Sequence, residues 1–186
     1  LKNLDELDEE GVSKDSKQYK KAQKAVLRAE KKLNYARAEL DEAKKNAAIT
    51  AARIEAYKSV DEEGFAKINN LTYNGVRIDI VVTNVSNLSN PNAEYGYTYS
   101  KTDSYSKSDN VFTMYTEIQK SVSIFSNIMA HEFGHAFDFA NNPRTMTENI
   151  DCQDPNNWDH PQVKIAIEWQ QRYDQLLNDK TMKGGN

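Results

Sequence analysis

Only one cysteine occurs among the 186 residues, Cys152. No disulfide can close within the chain, and a metal knuckle built on paired cysteines is excluded as well. That count leaves the redox compartment open. Glycine and proline are scarce, at 7 and 4 residues, and from Lys14 to Lys58 neither occurs, so nothing punctuates a helix there. No apolar run approaches the roughly 20 residues that cross a bilayer. Basic charge is not in excess: the net charge is −4. Residues 1–60 carry 14 Lys and Arg against 11 Asp and Glu, and residues 61–186 carry 10 against 17. Neither part has the concentrated positive charge of a nucleic-acid surface. The surplus lysine of the first part reads as a solvated helix face. The chain opens on Leu without a secretory signal, which reads as a fragment or processed form of something longer.

Histidine is also rare, with three residues in all. Two of them stand in His131-Glu132-Phe133-Gly134-His135. On a helix, positions i and i+4 share a face, so the two imidazoles can aim at one point. Glu132 follows about 100° round the axis, within reach of a water held there. Zinc takes imidazole nitrogens and, for hydrolysis, keeps one position open for water, whose proton a carboxylate can accept. The composition makes a chance match a matter of roughly one in three hundred such sequences. The setting agrees: Val122, Ile124, Phe125, Ile128 and Met129 precede the motif and Ala136, Phe137 and Phe139 follow, predicting a strongly apolar helix over about 119–141. Asn141-Asn142-Pro143 stops it.

The rest of the chain supplies an α+β order. Residues 1–13 read as a loose acidic lead-in. Beyond them Tyr19, Ala22, Val26, Ala29, Leu33, Ala36, Leu40, Ala43 and Ala47 recur in steps of three and four, a heptad pattern over about four repeats. It predicts one long helix, or a helical hairpin broken near Asn46–Thr50, serving as a spacer or as a surface for a protein partner or the parent chain. An Asn74-Gly75 turn introduces Val76–Val85, the best strand. Tyr95–Tyr99 and Val111–Thr116 read as two more, separated by a Ser/Lys/Asp-rich loop over 100–110. Three strands, the motif helix and a last helix over about 162–178 make a small antiparallel or mixed sheet with helices. Two regions result: a charged helix over 1–60 and a domain over 61–186. The tyrosines at 95, 97, 99, 105 and 115 fit either ordinary strand composition or an aromatic surface facing substrate.

A hydrolytic zinc site has three protein ligands, and only two are named by the motif. Glu148, thirteen residues past His135 across a Pro-closed turn, is the first choice. His160, at the start of the last helix, is the second. Glu168, Asp138, Asp151, Asp154 and Asp159 remain open, although Glu168 projects away from the apolar side of its helix, and Asp138 suits an outer role fixing an imidazole tautomer.

The stretch His131-Glu132-Phe133-Gly134-His135-Ala136-Phe137-Asp138 resembles the active-site helix of the zincin metallopeptidases, and within them the branch typified by the catalytic domain of anthrax lethal factor. The resemblance covers eight to twelve residues. It implies that His131 and His135 bind zinc, that Glu132 is the general base, and that a peptide or protein is the substrate. In that branch the third ligand is a Glu on a later helix, in a Glu-rich aromatic segment that this chain lacks. The metzincin extension is absent too, with Asp138 and Asn141 at its Gly and His positions. A short protease-like domain behind a long charged helix also resembles the toxin modules of large secreted bacterial proteins. The competing expectation is a catalytically inactive zincin-like module that binds a partner through its N-terminal helix.

Overall fold

A computed structural model describes residues 4–142, 155–157 and 159–183. The elements, in chain order, are α1 (Leu4–Glu9), α2 (Lys17–Val60), α3 (Glu62–Asn69), β1 (Thr72–Tyr73), β2 (Val76–Val85), β3 (Gly96–Ser106), β4 (Val111–Gln119), α4 (Ile128–Asn141), a 3-10 turn (Pro155–Asn157) and α5 (Pro161–Lys183). The chain is α+β, with a long N-terminal helix, a mixed sheet and a C-terminal helix. Among the described residues no helix is long and apolar enough to cross a membrane.

Two compact units divide the chain, Leu1–Lys45 and Asn46–Asn186. In the first, the expected lead-in is partly helical. Leu7 of α1 is fully buried with Tyr19 and Ala22 of α2, flanked by Leu4 and Val12. An acidic run is a weak helix prior that one well-placed apolar anchor overrides. Helix α2 is continuous through Asn46–Thr50, so the alternative of a hairpin falls away: the polar Asn and Thr interrupt the apolar stripe without breaking the backbone ladder.

In the second unit the strand order is β1-β2-β4-β3, with β2 parallel to β4 and the other pairs antiparallel. Asn74 and Gly75 both take positive φ, 50° and 77°, the conformation a two-residue hairpin requires. They join β1 to β2 with Tyr73 opposite Val76. β3 runs through most of the stretch expected to be a loop. Among the described residues it pairs with β4 alone, and its register shifts between Ser100 and Tyr105, where Ser104 Oγ accepts the Lys101 N–H at 2.7 Å. An edge strand with a bulge tolerates polar residues on its exposed side, so its pattern resembles a loop.

The core lies between the sheet and the helices. Ile78, Met114 and Ile118 from the sheet meet Met129, Ala130, Phe133, Ala136 and Ala140 of α4, together with Tyr57, Ile68, Leu71 and Tyr173. Tyr57 sits edge-on to Phe133 at 5.0 Å and stacks on Tyr173 at 5.5 Å. The buried Asp61 caps α3 by accepting the Gly64 N–H at 2.8 Å. It also takes a bidentate pair from Arg172 of α5, at 2.8 and 2.9 Å. Burial alone would raise the Asp61 pKa, but the Arg172 and Gly64 hydrogen bonds and the Arg172 charge outweigh it and hold the carboxyl below its ordinary value. A depressed acid contributes stability that is complete above its unfolded pKa, near pH 4, and is lost as pH falls through the lower folded value. Urea unfolding midpoints therefore drop below about pH 4, and Asp61→Asn flattens that part of the profile. An unchanged slope in Asp61→Asn would assign the acid sensitivity to other carboxylates.

Candidate active site

Helix α4 carries the motif. It begins at Ile128, nine residues later than expected, because Gln119 closes β4 and the turn after it is held by α2. Arg53 is 2% exposed and donates to Asn84 Oδ1 (2.6 Å), to the Ser123 carbonyl (2.7 Å), and to the Gln119 and Val122 carbonyls. A backbone tied at three carbonyls cannot coil into the helix that its apolar residues suggested.

Gly134, inside the motif, lets α4 and α5 close on each other. A Cβ there would lie 2.6 Å from Ala166 Cα. This contact and the next two fix the antiparallel alignment: Gly134 faces Ala166, His131 meets Gln170, and Asn127 donates to Asp174 at 2.8 Å. His131 Nδ1 lies 3.0 Å from Gln170 Oε1. A carboxamide oxygen only accepts, so Nδ1 carries the proton and Nε2 is left as a lone-pair donor, the tautomer a metal ligand needs. The His131 and His135 rings are 4.8 Å apart between centroids, with planes at 83°. Two imidazoles on one tetrahedral zinc, at ordinary Zn–N lengths, would place their centroids about 5 Å apart. Burial lowers the pKa of both, with the Gln170 hydrogen bond opposing it at His131. His135 is pushed down to about 3 by burial and then by His131. Both rings are neutral at physiological pH, as metal binding requires.

Glu132 is buried under β3. A Cβ on Gly96 would come within 2.6 Å of Glu132 Oε1, so only glycine leaves room for the carboxylate. Thr98 Oγ1 donates to the Glu132 carbonyl at 3.2 Å and bonds Thr116 Oγ1 at 2.9 Å, pinning strand to helix. Glu132 Oε2 is buried with no hydrogen-bond partner. Burial raises the Glu132 carboxyl to about 7 against the hydrogen bonds from Thr98. An acceptor oxygen buried without a donor is costly and suits a group that receives a proton from a bound reactant.

His131, Glu132 and His135 thus lie together on α4, and the two histidines are residues that could hold a zinc ion. Among the described residues no three His, Cys, Asp or Glu side chains gather as a metal-binding group. Asp138, Asp159, His160 and Glu168 therefore do not complete one with the two histidines. Asp138 is fully buried and accepts from Asn142 at 3.1 Å, and Glu168 is exposed. Glu148, Asp151 and Asp154 lie outside the described residues, as does Cys152. Comparisons with known protein families, curated proteins and solved structures give no match.

The tyrosines divide. Thr98 and Thr116 face α4, so by strand alternation Tyr97, Tyr99 and Tyr115 line the opposite face of the sheet. There Tyr99 stacks on Tyr97 and on Tyr115, and Lys101 Nζ lies 4.0 Å from the Tyr115 centroid. They do not line the histidine site. Gln170, Gly96 and Thr98 escaped the sequence reading. Gln170 alone left a trace, since it falls on the same helical face as Ala166 and Tyr173.

Proposed function

We propose that this chain is a zinc-dependent metallopeptidase of the zincin type, acting on peptide or protein substrates. One observation carries the reading. On a single helix, an imidazole fixed through Nδ1 by Gln170 stands 4.8 Å from a second imidazole, beside a buried carboxylate with an unpartnered oxygen. His131 and His135 would hold the ion through their unprotonated nitrogens, with the third ligand drawn from residues such as Glu148. Bound zinc lowers the pKa of water and polarises a carbonyl. Glu132 accepts the proton of the attacking water and returns it to the departing amine. Among the described residues strand β3 pairs only with β4. Its outer edge can take an extended peptide by main-chain hydrogen bonding, and Gly96 and Thr98 at its start lie against Glu132.

The test is metal content together with proteolysis of an unfolded protein substrate. One zinc per chain is expected, lost on His131→Ala or His135→Ala. Metal-replete wild-type protein without bound zinc would overturn the proposal. It would favour the second reading, a catalytically inactive zincin-like interaction module, which the lack of a three-ligand group among the described residues supports.

A further inference from the structure

From Leu27 to Lys45 every residue of α2 is exposed. Leu33 and Leu40, 50% and 54% exposed, stand seven residues apart. They continue the line of Tyr19 and Val26, while Ala29, Ala36 and Ala43 continue that of Ala22. Leu7 covers only Tyr19 and Ala22 at the start of this stripe. What remains is an apolar seam over residues 26–43, about 27 Å long, with nothing packed on it among the described residues of its own unit.

We propose that this seam pairs with the same seam of a second copy of the chain, antiparallel. The packing and the charges both select that arrangement. Antiparallel pairing sets Leu33 against the second copy's Ala36, Leu40 against its Ala29, and Val26 against its Ala43. Every layer then joins a large side chain to a small one, and the two backbones approach closely and evenly. The flanking positions agree. Lys32 meets the second copy's Glu39, and Glu30 meets its Arg37, and the two-fold axis repeats each pair. The parallel arrangement stacks Leu on Leu and Ala on Ala, which leaves gaps at the Ala layers, and it brings Lys32 against Arg37 on both sides, which offsets its two Glu39–Lys44 attractions.

Sedimentation equilibrium of the whole chain tests this, with circular dichroism confirming that each variant keeps its helix. A concentration-dependent dimer is expected. Leu33→Lys with Leu40→Lys, both at exposed positions, weakens it at least about a hundredfold. Lys32→Glu alone turns two attractions into repulsions and weakens the dimer about tenfold, and adding Glu39→Lys restores it. A chain that stays monomeric to about 1 mM, a dimer indifferent to the two leucine substitutions, or a dimer strengthened by Lys32→Glu, as a parallel coil would be, overturns the proposal.

Discussion

Glu132→Gln is expected to leave zinc bound at one ion per chain while hydrolysis falls by about two to four orders of magnitude. The substitution keeps the shape of the side chain and removes only its capacity to accept a proton. His131 and His135 keep their places because neither depends on Glu132: His131 is set by Gln170, and both are carried by the α4 backbone that Gly134 seats on α5. Stability should not fall, since a neutral amide is easier to bury than a carboxylate already pushed up to about 7 by burial. Gly96→Ala makes the complementary point. Its Cβ would intrude on Glu132 Oε1 and Cγ, at 2.6 and 2.8 Å, displacing the carboxylate while leaving its chemistry intact. Hydrolysis should drop about ten- to a hundredfold, with zinc retained. Residual activity at the wild-type level in Glu132→Gln would remove Glu132 from the role of base.

What the sequence disclosed follows from how local each signal is. Val76–Val85 occupies the span expected for it, because an Asn-Gly turn and a run of β-branched residues both act within a few residues. The motif helix ends at Asn141 for the same kind of reason, a proline two residues on. Its start falls later than the apolar run predicts because the deciding contact comes from Arg53, about 70 residues away, and no window contains it. β3 runs beyond the expected Tyr95–Tyr99 because a polar edge strand shows the composition of a loop. In the site, the spacing of His131 and His135 is a property of one helix and is visible in five letters. The Gln170 contact and the Gly96 clearance are properties of packing between elements, and appear only once α5 and β3 are in place.

Arg53→Met is expected to destabilise the second unit by about 3–5 kcal/mol. The reason lies in what Arg53 answers. The carbonyls of Gln119, Val122 and Ser123 lie at the end of β4 and in the turn before α4; the Val122 and Ser126 N–H groups donate to Gln119 and Ser123 at 3.1 Å each, and Arg53 adds a second donor to both. Removing the guanidinium takes this donor from the part-buried Val122 carbonyl and from Asn84 Oδ1, at about 1–3 kcal/mol each. One guanidinium meets all three and Asn84 Oδ1 as well, and Asn84 is fixed in turn by donating to Thr50 Oγ1 at 2.6 Å. Burial pushes the Arg53 pKa down, yet arginine stays charged at neutral pH, so the carbonyl dipoles hold a buried cation without a carboxylate among these contacts. Methionine fills much of the volume and supplies no donor. Lysine at the same position keeps the charge but lacks the planar fork, and should recover only part of the loss. Urea titration at constant m-value measures the change. Domains of this kind are stable by only about 5–15 kcal/mol, so the shift is large against the total. Zinc affinity should fall with it, because the same three carbonyls set the path into Asn127 and the first turn of α4. A loss under about 1 kcal/mol in Arg53→Met would mean that water can replace the guanidinium, and that the turn does not need α2 to hold its shape.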